Sequence, residues 1–185
     1  MTITAGLGRI FDIGLGWAPV DIDTANAATG KRCSMAGASG ITFVVVGAVG
    51  GAEDLVLDLQ QHTAYTSGTS ADLDAAAVAS SIGATYYHIK AETALDNDES
   101  WVKVTQNVAS ECTVVGATYG AQQKIVAIYV AATQLGTGYT HVSLNASITT
   151  GTAQLITCIY LLHDLAAGRS PTNLPNLLRP GVANA

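Results

Sequence analysis

The strict alternation over residues 141–148 constrains this chain more than any other feature. Val142, Leu144, Ala146 and Ile148 alternate with His141, Ser143, Asn145 and Ser147. A period of two turns one set toward a buried face and the other toward water, so the segment is a β-strand. It lies within Lys124–Asp164, which reads as three consecutive strands: Lys124–Val130, Tyr139–Ile148 and Ala153–Leu162. The third, QLITCIYLL over 154–162, is apolar on both faces, which places it in the interior of a sheet. Ser147–Thr152 (SITTGT) between the last two reads as a hairpin turn.

Upstream, the same grammar repeats. Ile41–Val46 (ITFVVV) is a β-branched run between glycines, hence a buried strand. In Asp54–Gln61, Leu55, Leu57 and Leu59 point inward against polar neighbours. Gly30–Ala36, Thr85–Ala91, Trp101–Gln106 and Glu111–Gly116 read as further strands, and Glu92–Ser100 as an acidic loop. One helix is expected, over Asp72–Ser80, with Asp72 or Asp74 as its cap. About eight or nine strands at roughly 10–15-residue spacing predict an all-β, antiparallel β-sandwich, jelly-roll-like in its connections. No internal repeat and no linker divides the chain.

Both ends leave this pattern. Residues 1–28 have no clean period, and glycines at 6, 8, 14 and 16 disfavour a helix. Large apolar residues in the same stretch must be covered, so it is either an arm lying on a neighbour or an edge strand of the domain itself. In the tail, Pro171, Pro175 and Pro180 punctuate Leu174, Leu177 and Leu178 and favour an extended chain. The expected organisation is an N-terminal arm over 1–28, a β-sandwich over 29–165 and an extended tail over 166–185.

Composition narrows the partners. Only 12% of residues are charged, against about 25% in an average domain, while 49% are hydrophobic. The surface must therefore be rich in Ala, Gly, Ser and Thr, which costs little to desolvate against another subunit. The net charge of −6, with eight Lys and Arg in all, argues against nucleic acid as a partner. The start lacks a basic region ahead of its apolar residues, and Arg9 and Asp12 interrupt them, so no signal peptide is expected. No apolar run reaches the ~18 residues of a membrane helix, and no membrane partner is expected. Synthesis and folding in a cytoplasm follow.

No pattern of residues announces chemistry. Cys33, Cys112 and Cys158 are widely spaced in strand-like text and read as small buried hydrophobes. His62, His88, His141 and His163 form no metal-binding spacing. The acidic stretch Asp96–Ser100 (DNDES) lacks the glycine and closing Glu of a calcium loop and reads as a solvated hairpin turn. The glycine-rich segments lack a phosphate-binding framework, and no nucleophile elbow is present. The Asn145-Ala-Ser147 sequon needs a secretory route to matter. Tyr86, Tyr87, Trp101, Tyr119, Tyr129 and Tyr160 are scattered through strands, so core packing is expected of them rather than a sugar groove. The chain is expected not to be an enzyme and to use no cofactor, metal or small-molecule substrate.

The order of four segments is informative. Gly50–Gln61 (GGAEDLVLDLQQ), the pair Tyr87-His88, Trp101–Gln106 (WVKVTQ) and Ala153–Asp164 (AQLITCIYLLHD) ahead of a proline-containing tail resemble virion structural proteins of tailed bacteriophages. The resemblance spans residues 30–170 and is to minor capsid, cement or decoration proteins of the head. It implies that the chain decorates the capsid surface of a virion, binding the major capsid protein. It brings no catalytic residues. A tail-tube or other tail subunit and a carbohydrate-binding β-sandwich module are the alternatives. A homo-oligomer is expected, a trimer above all, because repeated subunits close by cyclic symmetry. The apolar ends are expected to act as arms, with Ile10, Phe11, Trp17, Leu174 and Leu177 as interface residues. On that reading, deleting residues 1–17 leaves a folded sandwich that binds shells poorly.

Overall fold

The computed structural model describes residues 10–25, 27–73, 85–106, 109, 111–148 and 151–165. The expected helix lies outside them from residue 74 onward, as does the tail with Leu174 and Leu177. Asp72 itself closes a strand.

The chain is an antiparallel β-sandwich of two sheets. Sheet I is built on β4 (Gly40–Gly47), whose β-branched run is paired along both edges, by β10 (Gln123–Ala131) and β12 (Leu155–His163). Outside β12 lies β1 (Phe11–Asp21); outside β10 lie β7 (Thr85–Glu92) and then β8 (Val102–Gln106). Sheet II is centred on β5 (Leu55–His62) and β11 (His141–Ile148), paired over eight residues from His141–His62 to Ile148–Leu55. Short strands finish its edges: β2 (Ala27–Ala28) and β3 (Cys33–Ser34) on β11, β6 (Ser70–Asp72) and β9 (Cys112–Val114) on β5. Two one-turn helices, α1 (Ile22–Ala25) and α2 (Gly116–Tyr119), occupy connections.

The alternation read from the sequence fills the space between the sheets. Phe43 and Val45 from β4 and Val126 and Ile128 from β10 meet Leu55 and Leu57 of β5 and Val142 and Leu144 of β11. Tyr87 reaches across this layer and donates its hydroxyl to the Thr113 carbonyl at 3.1 Å. Burial of its ring raises the phenol pKa, so it stays a neutral donor.

Two expectations change. Ser147–Thr152 is not a hairpin, because β11 and β12 belong to different sheets and the segment passes between layers. Apolar text on both faces of β12 had placed it inside a sheet, and it is inside one, but not beside β11. Of the two readings of the N-terminal stretch, the edge strand holds over residues 11–21 and the free arm does not: β1 pairs along β12 from Phe11–His163 to Asp21–Leu155 at the edge of sheet I. The glycines there have a packing reason. A Cβ on Gly14 would run into the Tyr160 ring, and one on Gly16 into the Cys158 sulfur. The missing side chains let β12 press its inward residues against β1.

Candidate interaction surface

The two outer faces of the sandwich differ in kind. On sheet II the outward residues of β5 and β11 include Asp58, Gln60, His62, His141, Ser143 and Asn145. On sheet I the outward positions of β1, β12 and β4 are mostly apolar, with Thr42, Thr157 and His163 among them. Ile13 and Leu15 stand opposite Leu161 and Ile159, and Ile159 opposite Val44. Directly opposed residues share a face, so these side chains form one continuous patch. Ile13, Leu15, Val46, Leu155 and Ile159 all have more than a third of their surface in solvent, Leu155 as much as 55%. At one end a depression of about 340 Å³ opens between Pro19, Val46, Leu95, Gln123, Leu155 and Thr157.

The predicted interface residues divide against this background. Ile10 is exposed, and Phe11, half-buried, begins β1. Trp17 is not an interface residue: it is 5% exposed and belongs to the core, where the register shift after Leu15 turns it inward. Leu174 and Leu177 lie outside the described residues. Ile13, Leu15, Leu155 and Ile159 form the patch instead; Ile13 and Leu15 are among the N-terminal apolar residues that the sequence marks as needing cover, whereas Leu155 and Ile159 are not marked. Inward and outward positions of β1 and β12 are both apolar, so no alternation marks which set stays uncovered.

On the β10–β7–β8 side of the same face lies a groove of about 470 Å³, lined by Thr42, His88, Trp101, Ala127 and Tyr129. Trp101 and Tyr129 are 48% and 54% exposed, which overturns the expectation that both aromatics pack in the core. Lys90 places its ammonium 5.5 Å from the centre of the Trp101 ring, a cation–π contact. Tyr129 lies over Gly40, where a Cβ would collide with the ring, and 5.8 Å from the imidazole of His163. His163 Nε2 in turn is 2.7 Å from Thr42 Oγ1.

Sheet II carries a polar cluster that the sequence scattered. His62, at the end of β5, is buried between two hydroxyls, with Nδ1 2.7 Å from Ser70 Oγ and Nε2 2.8 Å from Ser143 Oγ. Ser143 was expected on a solvated face; the His62 imidazole covers it. Arg32 ties down the adjoining hairpin by donating to the carbonyls of Ala64 and Ser67, each at 2.8 Å, and to Ser70 Oγ at 3.2 Å. Desolvation, then Arg32 and His141, lower the His62 pKa, against a smaller opposing pull from Asp58. A serine and a histidine this close resemble half of a hydrolytic site, yet Ser143 is buried and no substrate reaches it. The cluster fastens strands together.

The remaining candidates settle similarly. Glu92, Asp96, Asp98 and Glu99 gather at the tip of the β7–β8 hairpin, with carboxylate oxygens within 4.8 Å of one another. They are where a cation would sit if one bound among the described residues. Asp96 N donates to Glu99 at 2.7 Å, and Asn97 adopts a left-handed φ of 79°, so the same residues make the expected hairpin turn. Cys33, Cys112 and Cys158 are all buried thiols, and desolvation pushes Cys158 up to about 12, far from a reactive thiolate. Asn145 of the sequon accepts from Gly30 N at 2.9 Å and donates to Asp58 at 3.2 Å, anchoring the chain ahead of β3. Comparison with known proteins returns no matching family model, no matching curated protein and no matching solved structure.

Proposed function

We propose that this protein is a structural component of a bacteriophage virion, a decoration or cement protein that binds the major capsid protein shell as a homotrimer. The observation that carries the reading is the contrast between the two outer faces. Sheet II is dressed for water, while sheet I leaves Ile13, Leu15, Val46, Leu155 and Ile159 uncovered on one surface. A contiguous apolar patch on a folded domain marks a contact surface. Each 100 Å² of it covered by a partner contributes about 2.5 kcal/mol before the costs of association. The resemblance of Gly50–Gln61 and Ala153–Asp164 to head proteins of tailed phages supports the capsid as that partner. So does the low density of charge, 12% of residues, since a charge-poor surface costs little to desolvate against repeated neighbours on a lattice.

The contact thus falls to the body of the sandwich. The arm reading loses Trp17 to the core, and β1 instead contributes Ile13 and Leu15 to the docking face. Replacing Leu155 and Ile159 by Glu puts two charges on that face without touching the core. The double variant is expected to keep the circular dichroism of the parent and to lose co-sedimentation with head shells that lack the protein. Co-sedimentation at parental levels removes this face as the contact.

A further inference from the structure

We infer that the groove between Trp101 and Tyr129 on sheet I binds a carbohydrate chain by stacking pyranose rings on its two aromatic walls. Its residues come from three strands and one hairpin: Thr42 from β4, Ala127 and Tyr129 from β10, His88 from β7, and Trp101 just ahead of β8. Four properties select this ligand class. Large aromatic faces left in water are rare in a monomer, because covering them is strongly favourable, and here two border one depression. The apolar C–H groups on one side of a pyranose ring match such a face, and its hydroxyls need partners at the rim. Thr42 and His88 are the polar residues that line the depression, the Thr42 hydroxyl also 2.7 Å from His163 Nε2. The walls are also held before any ligand arrives: Tyr129 by the space over Gly40 and by His163, Trp101 by Lys90. A preformed site spends less of its binding free energy on ordering.

The volume of about 470 Å³ falls within the range of roughly 300–1,000 Å³ for small-ligand sites. Among the described residues no carboxylate lines the groove, and Lys90 beside Trp101 repels a positive ligand, which disfavours amines and free amino sugars. The groove lies on the face of the sheet, not at an edge, so a peptide cannot add to it as a strand. The site occupies the β10–β7–β8 half of sheet I, whereas the apolar patch occupies the β1–β12–β4 half. Both lie on the outer face of one sheet, with Thr42 of β4 bordering the groove, so sugar binding is read on the unassembled protein, before that face meets a shell.

The chain's two tryptophans make the test direct, since Trp17 is buried and Trp101 is exposed. With Trp17→Phe as background, emission reports on Trp101 alone. The probes are maltohexaose, cellohexaose, xylohexaose, N-acetylglucosamine tetramer and trigalacturonate, titrated to about 10 mM, the upper end of weak affinities. At least one is expected to shift the Trp101 emission to the blue with saturation. Tyr129→Ala is expected to weaken that binding at least tenfold, while Tyr129→Phe, which keeps the ring, retains it. Trp101→Ala, read by calorimetry, is expected to lose it. Both aromatic positions are exposed, so the variants fold, and circular dichroism verifies that. Absence of a saturable shift with every probe overturns the inference, as does Tyr129→Ala binding like the parent. A blue shift on adding head shells but with no sugar also overturns it and makes the groove a protein contact.

Discussion

Trp17 shows how far one residue can be read. Its size and apolarity mark it for burial, but the sequence leaves open whether its own domain or a neighbour covers it. The register shift in β1 decides for its own core, at the expense of an indole N–H that is buried without an acceptor among the described residues. Trp17→Ala is therefore expected to cost about 3–5 kcal/mol in urea unfolding. Trp17→Phe should cost much less, because it also removes the unpaired donor. His62 makes a second residue-scale prediction. Its folded pKa is lowered, so below the ordinary value of 6.5 the unfolded chain binds more protons than the folded one. Stability is then present at neutral pH and is lost as pH falls from about 6.5 toward the lowered folded value. His141 is shifted in the same direction and adds to the loss. The melting temperature of His62→Gln is expected to fall less steeply than the parent's between about pH 6.5 and 5, where few carboxylates yet titrate. A parallel fall would remove His62 from the cause. Nothing in the sequence paired His62 with Ser143, because 81 residues separate them and only the β5–β11 register joins them.

Among the elements, β4, β5, β7, β10 and β11 were legible, since each carries a β-branched run or a clean alternation that only one backbone state satisfies. The strand β1 was legible only as one of two alternatives, because its inward glycines erase the period. Gly14 and Gly16 leave room for Tyr160 and Cys158, so the packing information for β1 is written in β12. Connections were less legible still: a short polar link such as 147–152 serves a hairpin or a passage between sheets equally well. Deletion makes β1 testable. Without residues 1–21, the apolar strand β12 becomes an exposed edge, which invites aggregation. The truncated chain is expected to precipitate or to lose cooperative unfolding, in contrast to the expectation from the sequence that loss of residues 1–17 is tolerated. A soluble variant with parental urea midpoint would show β1 to be dispensable.

For the whole molecule, the organising fact is a sandwich with one wet face and one face that is largely apolar over its β1–β12–β4 half. The all-β class followed from strand count and spacing. The asymmetry did not, because it depends on which strands share a sheet. That asymmetry is what the capsid reading rests on, and orientation on the virion tests it most directly. A cryo-electron microscopy reconstruction of virions containing the protein is predicted to show the sandwich on the head in threefold clusters. Sheet I, with Leu155 and Ile159, should face the shell, and the hairpin bearing Tyr65 should face outward. Density in the tail, or sheet II turned toward the capsid, would contradict the account.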